Sequence, residues 1–215
     1  MGFETKMDFE ACKHLGFETK AAFDECKKMK FELSKSGKTD YELAKEMGFL
    51  DEISSPSFNP IQQKNNFENC RIMNFDMTRD GREDFFACKR MRFDMTPDGK
   101  VDFEFLKALG FELTLGAKQD FEVCKKMGFD LANTENTKSN FYKCREMGFE
   151  QTMGGKENFY FCKGMGFEET VKGKAQFERC KTMGFDLTPE GREVFVRCRE
   201  MLFEQTPKGK ADFDL

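Results

Sequence analysis

The chain has 215 residues, with 35 basic and 39 acidic side chains and a formal net charge of −4 at pH 7. Charges of both signs are mixed along the whole chain, so there is neither a basic arm nor an acidic tail that would mark a polyelectrolyte partner. No run of about 18 apolar residues occurs, so no membrane span is expected, and the first residues lack the apolar segment of a signal peptide.

One short sequence recurs about a dozen times along the chain. It reads roughly F-E-x-C-K-x-M-G-F-D/E-L-T-P-x-G-K-x-D, and its regular spacing is 18 residues. We call its first aromatic residue the leading Phe and the Phe eight residues later the trailing Phe. The leading positions are Phe9, Phe23, Tyr41, Phe67, Phe85, Phe103, Phe121, Phe141, Phe159, Phe177, Phe195 and Phe213. A repeat of this length predicts a stacked array rather than a globule with one pocket.

The spacing of the leading positions divides the chain into three parts. From Tyr41 to Phe67 the step is eight residues longer than one period, and the excess contains Pro56 and Pro60 with several Ser and Asn. This composition is typical of a loop. We therefore expect a short N-terminal repeat block at 1–50, an inserted loop or hinge at 51–66, and a regular array at 67–215.

Each repeat has the sequence pattern of one short helix. Thr96 is a suitable N-cap and Pro97 suits the first helical position. Phe103, Leu106 and Leu109 then follow at steps of three and share one helix face. The scarcity of Val and Ile argues against strands. The pattern predicts a helix of about 10–13 residues.

Glycine is expected to end most of these helices. Seven repeats have Gly just before the trailing Phe, at Gly16, Gly48, Gly110, Gly128, Gly148, Gly166 and Gly184. This is the position of a left-handed C′ residue, and the following Phe suits a Schellman motif. Lys30, Arg92 and Leu202 break the pattern, so the helix ends at these residues are expected to be strained or capped differently.

Together these features predict an all-α fold: an α-solenoid-like array of about twelve 18-residue units, with one short helix per unit and antiparallel neighbours. The direction of the neighbours is inferred from connections of about four to eight residues. A single continuous helix is the alternative, because 18 residues make five whole turns. It is disfavoured because Gly and Pro would interrupt it and the trailing Phe would leave the apolar face.

Nine cysteines occupy one repeat position, three residues after the leading Phe. They are Cys12, Cys26, Cys70, Cys88, Cys124, Cys144, Cys162, Cys180 and Cys198. A disulfide framework would use varied, paired spacings. Ala44 and Leu106 fill the same position in other repeats, which predicts that these cysteines are small core residues. We expect a reducing, cytoplasmic location.

The sequence carries no complete motif for catalysis or for cofactor binding. Asp94 to Phe105 resembles a calcium loop, but position twelve is Phe105 rather than the bidentate Glu. Ser34 to Thr39 ends like a phosphate loop but lacks its first Gly. There is a single histidine, His14, and no C-x-x-C pair for zinc. We therefore expect no enzyme, no cofactor and no metal.

Two columns of basic residues are the most regular charged feature. The first lies three residues before the leading Phe and the second four residues after it. The candidate partner-binding residues come from the first column and are Arg82, Lys100, Lys118, Lys156, Lys174 and Arg192. A stack of units would align them into a track for phosphates or an acidic partner. The alternative is local pairing, because Glu104 and similar residues lie three before the second column.

The expected function is a non-catalytic helical-repeat scaffold or structural spacer that binds another macromolecule, first of all a protein. An RNA-binding helical-repeat array is the alternative, because such arrays can place one side chain per base. Head-to-tail self-association is a further expectation, because neither end of the sequence carries the polar cap that repeat arrays usually need.

Overall fold

The computed structural model describes residues 6–215, and this part of the chain contains twelve helices and no strand. The helices are α1 (Lys6–Leu15), α2 (Lys20–Lys28), α3 (Lys35–Glu46), α4 (Pro60–Ile72), α5 (Arg79–Arg90), α6 (Pro97–Ala108), α7 (Leu115–Lys126), α8 (Thr137–Glu146), α9 (Met153–Gly164), α10 (Val171–Thr182), α11 (Pro189–Glu200) and α12 (Pro207–Phe213). The predicted class, a helical-repeat array with one short helix per unit, is confirmed. The antiparallel direction of neighbours stays a prediction.

A hydroxyl side chain caps the start of nearly every helix. At α10, Thr170 adopts an extended backbone (φ −137°, ψ 164°), and its Oγ1 accepts a hydrogen bond of 3.1 Å from the N–H of Gly173. This bond satisfies one of the donors that a helix start leaves unpaired. The predicted cap at Thr96 is confirmed, since its Oγ1 accepts from Gly99 at 3.1 Å. The same bond forms at Thr19, Ser34, Thr78, Thr114, Thr152, Thr188 and Thr206.

The helices end in the predicted Schellman motif. After α9, Gly166 has φ 77°, its N–H donates to Lys163 O at 2.9 Å, and the N–H of Phe167 donates to Cys162 O at 3.2 Å. The other ends follow the same pattern, including those without Gly. Lys30 (φ 61°) and Leu202 (φ 62°) adopt the left-handed conformation, which costs a non-glycine residue about 1–2 kcal/mol. These ends are therefore strained rather than capped differently.

A second recurrent glycine lies four residues before the leading Phe, in the first turn of the helix. There the preceding connector passes close to the helix backbone. A Cβ on Gly155 would lie 1.9 Å from the carbonyl oxygen of Glu150, so only a hydrogen fits there. In α8 the same position holds Thr137. The preceding connector is two residues longer, and the hydroxyl of Thr137 donates to Asp130 O at 2.6 Å. The extra connector length therefore makes room for a side chain.

The core consists of the leading Phe, the Cys, the Met and the trailing Phe of each unit. Phe177, Cys180 and Met183 of α10 are at most 3% exposed. Trailing Phe167 contacts the leading Phe177 of the next helix and the leading Phe195 of the helix after it, edge to face, both at 6.2 Å between ring centroids. Trailing Phe167 thus joins units one and two steps along the chain, and contacts of this kind make the units of an array depend on their neighbours.

The described chain divides into two compact units, one ending at Glu104 and the other beginning at Phe105. In the first, residues 47–57 form successive turns and α4 already begins at Pro60. The second half of the predicted insertion is therefore helical, because Asn59 Oδ1 caps Gln62 at 3.1 Å and Pro60 fits the first helical position. The three-part division and the hinge stay predictions.

All nine cysteines are buried and unpaired, which confirms the prediction that they are core residues. Burial raises the thiol pKa to about 12 at Cys124. The pKa rises to about 11 at Cys26, Cys70, Cys144, Cys162 and Cys180, again mainly through burial. These thiols stay protonated in the folded chain at neutral pH and are poor nucleophiles.

The raised thiol pKa values predict a loss of stability in alkali. Between pH 9.0, the ordinary thiol pKa, and about 12, Cys124 ionises in the unfolded chain but not in the folded one, so rising pH favours unfolding. We expect the urea unfolding free energy of Cys124→Ala to fall less steeply across this window than that of the parent chain. Ala44 shows that alanine fits this position. Equal slopes would show that this thiol does not titrate differently on unfolding.

Candidate partner-binding surface

Lysines of the first basic column link several helices to an earlier connector. Lys174 Nζ of α10 donates to the carbonyl oxygen of Gly148 at 2.6 Å and lies 5.1 Å from the ring centroid of Phe149. The same nitrogen is 3.2 Å from the carboxylate of Glu178. The carbonyl lies just past the end of α8, where helix carbonyls carry partial negative charge, so the cation is favourable there. Lys174 therefore links α10 to the connector that follows α8. We call this lysine-to-carbonyl contact a lysine clip.

The clip is repeated in both compact units. The bonds run from Lys38 to Gly16 O, Lys100 to Asn74 O, Lys138 to Gly110 O and Lys156 to Gly128 O. Lys118 pairs with Glu122 at 3.2 Å. Side chains of the column are only 17% exposed at Lys100 and 18% at Lys118. Four of the six candidate residues, Lys100, Lys118, Lys156 and Lys174, are thus occupied by contacts within the chain. Their binding to a partner stays a prediction.

The two arginines of the candidate set differ from these lysines. Arg82 lies over the rings of Phe49 and Phe86, at 5.4 and 5.1 Å, and Arg192 lies 5.3 Å over Phe167. The Nε of each is buried without a hydrogen-bond partner. Within residues 6–215, neither guanidinium makes a hydrogen bond or an ion pair. The position four residues later holds Phe86 or Val196 rather than Glu, so neither arginine has the helical ion pair that Lys100 and Lys174 make.

The second basic column pairs between helices. Arg145 of α8 donates to Asp120 of α7 at 2.7 Å, and Lys163 donates to Asn140 Oδ1 at 2.9 Å. Equivalent bonds join Lys27 to Asp8, Arg71 to Asp40, Lys89 to Asn66 and Lys181 to Asn158. Glu104, by contrast, pairs with Lys100 of the first column. Local pairing is thus present, but the sequence did not reveal that it reaches from one helix to the next.

Each arginine lines a shallow surface groove with a second arginine. The groove of the first compact unit is about 430 Å³ and is lined by Arg82, Glu83, Phe86 and Arg90. The groove of the second is about 480 Å³ and is lined by Arg192, Glu193, Val196 and Arg197. Arg90 and Arg197 are exposed, and the described chain gives them no ion pair. We call these two sites the arginine grooves.

Arg90 and Arg197 were not predicted from the sequence. Along α5, Arg82, Phe86 and Arg90 follow at steps of four, and in α11 Val196 and Arg197 lie four and five residues after Arg192. The available signal was an arginine in the first column without an acid four residues later. That signal indicates a binding site only together with the grooves that the structure shows.

The motifs that the sequence analysis set aside have structural roles. Ser34, at the start of the phosphate-loop-like segment, accepts a hydrogen bond of 3.1 Å from Gly37 and caps α3. Across residues 6–215, no three or more His, Cys, Asp or Glu side chains gather where a metal ion could be held. In the same residues, no helix combines the length and apolar character needed to cross a bilayer.

Comparison with protein-family models, with curated proteins and with solved structures gave no match. The function is therefore argued from the geometry of the arginine grooves and of the array that carries them.

Removal of one lysine clip should destabilise the chain. We expect Lys174→Met to lower the free energy of unfolding by about 1–2 kcal/mol, because a charge-assisted hydrogen bond and a cation–π contact are lost. Lys172→Met, on the same helix and exposed, is the matched control and should change it by less than about 0.5 kcal/mol. Urea denaturation followed by circular dichroism measures both. Equal effects of the two substitutions would contradict the clip.

Proposed function

We propose that the protein is a non-catalytic helical-repeat scaffold that binds another protein. The observation that carries this proposal is the contrast on its surface between lysines satisfied within the chain and the unpaired guanidiniums of Arg82 and Arg192. Repeat arrays bind through the surface their units share. The arginine grooves are surface concavities in which guanidinium charge is left for a partner.

The chemistry of the core supports a non-catalytic role. The thiols are the most nucleophilic groups in the sequence, and all nine are buried. Burial raises the thiol pKa at Cys124 and at the five cysteines named with it above, so these thiols are held protonated. His14 is the single histidine and cannot serve nine equivalent cysteines. A core of reduced thiols also fits a cytoplasmic protein, which is part of the proposal.

A protein partner is favoured over RNA by the pairing of the basic columns. An RNA backbone needs a run of free cations along its path. Here Lys100, Lys118 and Lys174 lie 3.0–3.2 Å from glutamate carboxylates on their own helices. The columns are thus largely neutralised, and RNA binding is kept as the alternative that the experiment must exclude.

Capture from native extract tests the proposal. The folded full-length chain is immobilised and incubated with extract, with and without ribonuclease, and retained proteins are identified by mass spectrometry. Beads carrying the unfolded, alkylated chain are the control. We expect proteins that are retained by the folded chain alone and that survive ribonuclease. Loss of every retained protein on ribonuclease treatment, with RNA recovered from the untreated beads, would favour the RNA-binding alternative.

Head-to-tail self-association is a separate part of the proposal. Sedimentation velocity of the purified chain at low and high concentration tests it, because a self-associating chain sediments faster as the concentration rises. A sedimentation coefficient that stays constant would remove this part of the proposal and leave the scaffold role standing.

A further inference from the structure

We propose that each of the two arginine grooves by itself binds carboxylate side chains of an acidic, extended segment of a partner protein. The inference rests on the proposed scaffold function and names the chemistry of its partner. Its starting point is the pair of guanidiniums, Arg82 and Arg192, which the described chain leaves without a hydrogen-bond acceptor.

Lysines at the same repeat position have hydrogen-bond acceptors within the chain, so the lack of an acceptor distinguishes Arg82 and Arg192 from them. Lys100, Lys156 and Lys174 each donate to a connector carbonyl at 2.6 Å, so their charge is used inside the chain. Arg82 and Arg192 lie over the equivalent trailing rings but make no such bond. A guanidinium held over a ring has fewer orientations open to its planar fork of donors, which suits bidentate binding of a carboxylate.

The rest of each groove matches an acidic segment with apolar residues. Phe86 lies between Arg82 and Arg90 in the first groove and is half-buried, so an apolar side chain can pack against it. The second groove has Val196 in the same place, with Arg197 beside it. Each groove contains two arginines and one glutamate and therefore carries a net charge of +1. An anion is attracted, and the glutamate disfavours a densely charged one.

A carboxylate-bearing peptide fits these sites better than a nucleic acid. The helices beside α5 and α11 carry paired lysines, such as Lys100 with Glu104 and Lys174 with Glu178. Glu83 and Glu193 line the grooves themselves and would repel a densely charged phosphate chain, whereas a protein segment can place one carboxylate at the arginines and neutral residues beside it. Charge complementarity therefore selects an acidic protein segment as the occupant.

Fluorescence anisotropy of the full chain with a short labelled peptide tests the inference. The probe is a fluorescein-labelled peptide in which glutamates alternate with leucine and serine, and the comparison probes replace glutamate by glutamine or are oligouridylate RNA. We expect binding of the acidic peptide that weakens as salt rises to about 0.5 M, because screening reduces charge attraction. The glutamine peptide should bind at least about tenfold more weakly, since the charge-assisted bonds are lost.

Three double variants locate the site. Arg90→Gln with Arg197→Gln changes exposed residues without bonds in the described chain, so the fold should be kept while affinity falls about tenfold. Arg82→Gln with Arg192→Gln should reduce affinity by at least as much. The matched control, Lys100→Gln with Lys174→Gln, alters the same repeat position in units whose lysine is hydrogen-bonded within the chain. It should keep affinity within about twofold. Thermal melts by circular dichroism check that each variant is folded.

The outcomes separate this inference from the scaffold function. Unchanged affinity in a folded Arg90→Gln, Arg197→Gln variant, absence of binding by the parent chain, or tighter binding of RNA than of the acidic peptide would each overturn the inference. If the arginine variants still capture the same proteins from extract, the scaffold function stands and the arginine grooves are not its site. If capture and peptide binding are lost together, both proposals are supported.

Discussion

Phe121→Ala is expected to lower the free energy of unfolding by about 3–5 kcal/mol, as removal of a buried aromatic ring does. Phe121 is fully buried, and the trailing ring of Phe111 packs against it edge to face at 6.1 Å. The array cannot readily close the cavity, because the ring lies between units that are fixed by their own clips and caps. Urea denaturation of the purified variant measures the loss.

Phe161→Ala is the control for Phe121→Ala. Phe161 lies two residues after the leading Phe of α9 and is 46% exposed. Its removal leaves no closed cavity, so we expect a loss below about 1 kcal/mol. If Phe121→Ala costs no more than Phe161→Ala, the leading Phe is not the centre of the core and the description of the stack is wrong.

Gly155→Ala and Gly164→Ala, two substitutions in one helix, are expected to have opposite signs. A Cβ on Gly155 would meet the carbonyl oxygen and carbon of Glu150 at 1.9 and 2.8 Å, and backbone atoms cannot move aside without shifting the connector. We expect Gly155→Ala to cost about 1–3 kcal/mol, the range for overpacking. Ala117 occupies this position in α7, which shows that the connector can adjust and keeps the expected cost moderate.

Gly164→Ala should instead stabilise the chain. No atom lies within 4 Å of a Cβ placed there, and Gly164 is the last residue of α9. Alanine has the higher helix propensity and loses less backbone entropy, so a gain of up to about 1 kcal/mol is expected. Thermal unfolding of both variants compares them directly. A loss of stability in both would mean that helix propensity does not decide the result at either position.

The sequence was sufficient for features that depend on neighbours in the chain. The Phe-Cys-Met face, the Thr cap and the left-handed C′ residue are local patterns, and each is present in α10. The start of α4 at Pro60 could also have been predicted, because Asn59 and Pro60 form a cap and a first turn. The Pro- and Ser-rich composition of the preceding segment outweighed that signal.

The sequence was insufficient where one partner is backbone or lies on another helix. Lys174 binds a carbonyl 26 residues earlier, and a carbonyl carries no side-chain signature. The need for glycine opposite Glu150 could not be predicted, since nothing in the sequence marks a close approach of two backbone segments. The arginine grooves were missed for the same reason: Arg82 and Lys100 both lie over a trailing ring, at 5.4 and 5.3 Å, but only Lys100 reaches a carbonyl acceptor, which spacing alone does not give.

The trailing rings and lysine clips set a rule for how this chain can change in length. Phe167 reaches the helices one and two steps ahead, and Lys174 reaches the connector two helices behind. A complete set of such contacts therefore needs three successive helices. Gain or loss of a whole unit would keep each kind of contact but form it between different units. Connector length is less constrained, because the connector before α8 is two residues longer and trailing Phe129 still contacts leading Phe141 at 6.0 Å. Duplication of entire modules is thus one route by which such a chain can lengthen without redesigning its interior.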